Sequence, residues 1–227
     1  VHEFVLERDA LIDLLVRSGD TVVDMLGQAL NSLAERDGDQ ATSVIAADDR
    51  VDATYAEVQH RVVTAMSLPE PQVADHRLLA ALLHVNIHVE RMGDYAVNIA
   101  RAGLRTVDEP GDTELTDQLR EMGLLAVEVA RTAIRAFARR DVEAARRLPA
   151  LDDGVDRLNV GVFQRLVQLA STDESRLRWA THMILVARQL ERYADHAVDI
   201  GEATIFAATG EVVELSSNTL REPTEDP

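Results

Sequence analysis

The stretch ERMGDYAVNI at residues 90–99 returns as ERYADHAVDI at residues 191–200. Glu, Arg, Asp, Ala, Val and Ile recur at one spacing, with an offset of 101 residues from Glu90 to Glu191, so the chain reads as a duplicated helical unit. The repeat extends outward from this echo. Asp48, Asp49, Val51 and Asp52 answer Asp152, Asp153, Val155 and Asp156 at an offset of 104, and Arg36-Asp37 answers Arg140-Asp141 at the same offset. The difference of three residues falls in the connector Ser67-Leu68-Pro69-Glu70-Pro71, opposite Ser171-Thr172-Asp173. Two prolines cannot sit inside a packed helix, and length changes collect in loops. A linker at residues 106–113, with Pro110-Gly111, separates the halves.

Helix is the only periodic signal. Leu11, Leu14, Leu15, Val22, Met25, Leu26 and Leu30 fall at helical spacings, as do Leu124, Val127, Val129, Ala133, Ile134 and Phe137, and no stretch sustains strict alternation. Six helices are expected, at about residues 3–36, 40–66, 72–104, 114–139, 141–170 and 174–209, with ends good to ~3 residues. Short connectors between long helices force antiparallel neighbours. The fold class is therefore all-α: two tandem antiparallel three-helix bundles related by internal duplication, at residues 1–105 and 112–210, with a flexible acidic tail at 211–227. Asp39, Asp112 or Thr113, and Thr172 or Asp173 are the expected helix caps, because a short side-chain oxygen accepts from the amides of the first turn.

The chain has 227 residues, 46% of them hydrophobic, which is enough to bury a core. Its 40 acidic against 23 basic residues give a net charge of -17. That argues against a nucleic-acid-binding protein and disfavours adsorption to an anionic leaflet, since both need clustered Lys and Arg. Cations and basic protein surfaces are the expected partners. There is no cysteine, hence no disulfide or thiolate metal site. No run of 18 apolar residues and no charged-then-apolar leader occurs, so direct membrane insertion is not expected and a cytoplasmic location is.

The carboxylates carry the chemistry. Asp48 with Asp52, Glu90 with Asp94, Asp152 with Asp156, and Glu191 with Asp195 each stand one helical turn apart on one face. Chance alone would produce roughly seven acidic pairs at this spacing, and like charges one turn apart repel. These four differ because both pairs of each half occupy matching repeat positions, where packing gives no reason to keep a destabilising pair twice. If the second and third helices of each half are antiparallel, four carboxylates surround one spot, and only a cation lets all of them stay ionised. Oxygen ligands without cysteine favour hard cations such as iron(III), manganese or magnesium over a closed structural zinc site. Asn98 and Asp199, one turn further on, are candidate outer ligands or caps. Arg91 and Arg192 are placed for ordinary salt bridges to Asp94 and Asp195. His84, His88, His182 and His196 have no repeat partners and read as surface or satisfied core residues. Gly93 reads as small for close helix packing.

The paired segments ERMGDYAVNIA and ERYADHAVDIG, each preceded by an Asp-rich helix, resemble the duplicated signature of the PhoU family of phosphate-transport regulatory proteins, over roughly residues 6–210. The resemblance implies two three-helix bundles side by side, a cytoplasmic protein that often dimerises, and acidic pairs that hold metal ions or multinuclear clusters. Carried onto this chain, those pairs are Asp48 with Asp52, Glu90 with Asp94, Asp152 with Asp156, and Glu191 with Asp195, with iron first among the metals and manganese, magnesium or zinc as alternatives. Ala194, His196 and Asp199 depart from the MGDYA-type pattern. The implied role is negative regulation of phosphate uptake and of the phosphate-starvation response. It is that of an adaptor between the phosphate transporter ATPase subunit and a sensor histidine kinase, recruited to the inner face of the membrane through those partners.

Two rivals stand beside it. A carboxylate-bridged di-iron oxidoreductase needs paired Glu-x-x-His ligands; Glu57 and His60 supply one, but Gly161 and Gln164 occupy the repeat positions. A metal-free acidic helical adaptor needs no ligands at all. There is no Gly-rich phosphate loop and no nucleophile elbow, so a non-enzyme is the expectation, with phosphate reaching the protein only through a carboxylate-held metal.

Overall fold

The structure is a computed structural model, and it describes residues 2–68 and 72–215. Among these residues every regular element is helical: α1 (His2–Glu35), α2 (Gly38–Met66), α3 (Val73–Thr106), α4 (Thr113–Arg139), α5 (Val142–Arg146), α6 (Leu148–Thr172) and α7 (Leu177–Thr209), with a 3-10 turn at Glu174–Arg176 before the last. In the first half α1, α2 and α3 pack mutually; in the second, α4, α6 and α7 do. The halves meet along α3 against α7 and α1 against α4. One continuous apolar core results, running from Phe4, Leu11 and Leu26 through Leu82 and Met92 to Met122, Leu190 and Ile200. No helix among the described residues is long and apolar enough to cross a membrane.

The repeat is visible in the turns. Arg36 and Arg140 both take a left-handed conformation, with φ of 56° and 53°. The next residue in each copy then closes the preceding helix and opens the following one. Asp37 N–H donates to Ser32 O and Asp141 N–H to Ala136 O, both at 2.9 Å. The Asp37 carboxylate accepts from the amides of Asp39 and Gln40, and that of Asp141 from Ala144. The cap of α2 is therefore Asp37 and not Asp39, because Asp37 alone precedes the first turn with extended backbone. Asp112 caps α4 and Asp173 caps the 3-10 turn, as the sequence allows.

Three expectations are corrected. The fifth helix is not continuous over residues 141–170: it breaks at Arg147, because Pro149 in the first turn of α6 has no N–H to donate back to the Ala145 carbonyl. Leu124 is 59% exposed although it falls on the helical register of α4. The tail does not come loose at residue 211: Leu215 N–H donates to the Glu202 carboxylate at 2.7 Å, and Val213 and Leu215 pack on Ala136, Ala145 and Ile205. The rest of the expected tail, residues 216–227, lies outside the described residues.

Candidate metal centres

The eight acidic residues sit where α2 faces α3 and where α6 faces α7. In the first half, Asp48 feels the charges of Asp52 and Asp94, and Glu90 those of Asp94, Asp52 and Asp48. Burial first, and then these neighbours, raise the pKa of Asp48 and Glu90 above the ordinary carboxylate value. Gly93 allows the approach: a Cβ there would stand 3.3 Å from Val51 Cγ1 and 3.5 Å from Asp48 Oδ1, so the missing side chain lets α2 lie close beside the Glu90–Asp94 turn. Arg91 bridges Glu90 at 3.5 Å and Asp94 at 3.2 Å, giving this half a guanidinium counter-ion of its own.

The second half is drier. Asp152 and Asp156 are only 4% and 7% exposed, whereas Asp52 is open to solvent. Burial, followed by the charges of Asp156, Asp195 and Glu191, pushes Asp152 up to about 8. Asp195 keeps an edge open to solvent, yet partial desolvation by the packed helices, together with Glu191 and Asp156, pushes it up to about 6. Glu191 is also raised by burial, against the opposing pull of Arg188, which hydrogen-bonds it. The expected Arg192 bridge to Asp195 does not form; Arg188, one turn earlier and reaching Glu191, takes that role.

The donor set and one orphaned atom test whether a cation fits. All four groups of the second half are carboxylates, and Asp152 Oδ1 is buried with no hydrogen-bond donor. A buried carboxylate oxygen without a donor is stabilised by a hard cation or by its own protonation, and by little else. In neither half do three of the carboxylates close to within 4.8 Å of one another, so each quartet is an open array.

Elsewhere the structure departs from the expected roles. Glu57, half of the Glu-x-x-His pair, is held at 3.0 Å by Arg61, which also pairs with Glu7 at 2.7 Å, so this is a surface ion network. Asp199 turns away from α6 and meets His88 of α3. His88 Nδ1 and His196 Nδ1 are 2.9 Å apart, and Asp199 Oδ2 lies 3.0 Å from His196 Nδ1 and 3.3 Å from His88 Nδ1. Tyr95 OH is 3.2 Å from His196 Nε2, with the two rings stacked at 5.5 Å. Burial lowers the His88 pKa to about 4, against the opposing pull of Asp199. Two of the four histidines expected to be surface or satisfied core residues, His88 and His196, thus form a half-buried cluster with Asp199 at the seam between the bundles. The sequence signal was their register: His196 and Asp199 share a face of one helix, but only the α3–α7 packing supplies His88.

Known proteins match this architecture over nearly the whole chain. The family model of the PhoU domain matches twice, at residues 15–103 and 119–204, one match in each bundle. A curated relative from Caulobacter vibrioides, "Phosphate-specific transport system accessory protein PhoU homolog", is 30% identical over 203 residues, covering 89% of this chain and 87% of its own. Another of the same name from Clostridium acetobutylicum is 26% identical, covering 94% and 97%. The crystal structure of PhoU from Pseudomonas aeruginosa superposes with a TM-score of 0.87 at 26% identity, covering 92% of this chain and all of that one. The phosphate transport system regulatory protein PhoU from Streptococcus pneumoniae gives 0.86 at 26% identity, covering 93% and 100%. With both bundles matched, each around its own pair of carboxylate turns, the chain belongs to the PhoU family.

Proposed function

We propose that this protein is an accessory, non-enzymatic regulator of a phosphate transport system whose two carboxylate quartets hold hard cations, iron foremost. The observation that carries the metal reading is the buried, donorless Asp152 Oδ1, which feels the charges of three further carboxylates. The regulatory reading is supported by the accessory-protein name shared by relatives that align over nine-tenths of the chain. Asp48, Asp52, Glu90 and Asp94 would hold the first ion, and Asp152, Asp156, Glu191 and Asp195 the second. The cations would supply no turnover here: they neutralise paired acids that otherwise repel, and so lock α2 to α3 and α6 to α7 as rigid faces.

Those acidic faces suit basic partner surfaces. In this reading they dock the transporter ATPase subunit and a sensor histidine kinase, so that high phosphate holds the starvation response off; the protein works as a cytoplasmic homodimer. A deletion strain grown in phosphate-rich medium is expected to express phosphate-starvation genes, and silent genes there would overturn the regulatory role. A metal-free adaptor is the second reading, favoured by Arg91 already bridging Glu90 and Asp94. Metal analysis separates the two: Asp152→Asn with Glu191→Gln should lose roughly half of the bound iron or manganese. A gently purified wild type without metal, binding its partners unchanged in chelator, would favour the adaptor.

A further inference from the structure

We propose that the seam between the bundles carries a separate metal site, a Zn(II)-type ion held by His88 Nδ1, His196 Nδ1 and Asp199 Oδ2. These atoms form a triangle with edges of 2.9, 3.0 and 3.3 Å. Ligands about 2.0–2.1 Å from a tetrahedral zinc stand roughly 3.3 Å apart, so the triangle is close to one face of that tetrahedron. Two imidazoles and one carboxylate are a borderline-soft donor set that late first-row ions prefer, unlike the all-oxygen quartets. His88 and Asp199 also line a groove of about 460 Å³ beside the cluster, bordered by His84, Glu202 and Phe206, which leaves room for water at the fourth position.

Internal symmetry argues that this is not mere packing. Because α3 and α7 are repeat equivalents that face each other, every residue at the seam has a counterpart across it. The counterparts of His88, His196 and Asp199 are Gln189, Tyr95 and Asn98. At one corner the repeat positions hold an amide, a phenol and an amide that do not converge as ligands; at the other the same positions hold two imidazoles and a carboxylate converging on one point. Tyr95 supports the ligating corner, because its hydroxyl meets His196 Nε2 and fixes the ring that would ligate through Nδ1. His88 belongs to the first bundle, and His196 and Asp199 to the second. An ion here ties α3 to α7 and couples the halves, whatever occupies the carboxylate quartets.

The test uses the full chain stripped with chelator and titrated with Co(II), then Zn(II). One equivalent of Co(II) should give the visible bands of a low-coordinate, nitrogen-ligated ion, and Zn(II) should displace it. Losing an outer hydrogen-bond partner costs 10–100-fold in affinity, so Tyr95→Phe should weaken binding about tenfold, and His88→Gln or His196→Asn at least about 100-fold. Asp152→Asn with Glu191→Gln should leave the cobalt bands intact, which keeps this site distinct from the quartets. Unchanged affinity in both folded histidine variants would overturn the site. Where those variants do not fold, the imidazole nitrogen resonances of the wild type decide: His88 and His196 must shift with one equivalent of Zn(II), and unmoved signals reject the proposal.

Discussion

Asp152 has one oxygen without a donor and almost no solvent, so its charge has to be neutralised by a proton or by a metal. Its folded pKa is raised from 3.8 to about 8. Between those values the metal-free native state keeps a proton that the unfolded chain has released, so stability is greatest below the lower value and falls as pH rises through the upper one. In chelator, the melting temperature should therefore be higher at pH 5.5 than at pH 8.5. The overall negative charge pushes in the same direction, so the decisive comparison is with Asp152→Asn, which should flatten the slope. Equal slopes in wild type and variant would show that this carboxyl is not the source. Bound metal should weaken the dependence, because it selects the ionised form. All eight carboxylates were legible in the sequence because a repeat marks position as well as residue type. The Asp199–His88 contact was not, since one partner comes from each half and neither copy contains both.

Helix packing shows a similar division. The expected helices appear within a few residues of their expected ends, because long apolar stripes and Asp caps are local signals. The kink at Arg147 comes from a single Pro149 that has no counterpart in the first half, where Ile45 lets α2 run unbroken. Close approaches between helices were partly readable from small residues: Gly93 does admit Val51 and Asp48. Gly123 of α4 makes a tighter one with α1, where a Cβ would fall 2.3 Å from Leu30 Cδ1 and 3.1 Å from its Cγ. Leu30 is itself buried, so it has little room to yield. Gly123→Val should therefore cost about 2 kcal/mol through overpacking. For a chain of this length that is a fall of roughly 4–8 °C in melting temperature. Because none of the eight carboxylates lies on α1 or α4, metal content should stay as in the wild type; a variant as stable as the wild type would mean that α1 and α4 are free to move apart.

At the scale of the whole molecule, duplication and cohesion pull against each other. Two copies of one module suggest two units that could open separately, yet the apolar cluster passes without interruption from α1 and α3 into α4 and α7. The seam joins α3 and α7, which are also the third members of their own bundles and carry the buried Leu78, Leu82, Val85, Met183, Leu190 and Ala197. Separating the halves would expose the part of that common core that spans both, at about 25 cal/mol for each apolar Å² uncovered. Unfolding should consequently be a single cooperative event, with no stable half-folded species between. Trp179, near the start of α7, lines a cavity with Leu33, Arg36 and Gly103 of the first half and so reports on the junction between the halves, while far-UV circular dichroism reports on all helices at once. In urea the two signals should give one coincident transition. Separate midpoints would show that each bundle is stable alone, and that the seam is a contact between independent domains instead of a common core.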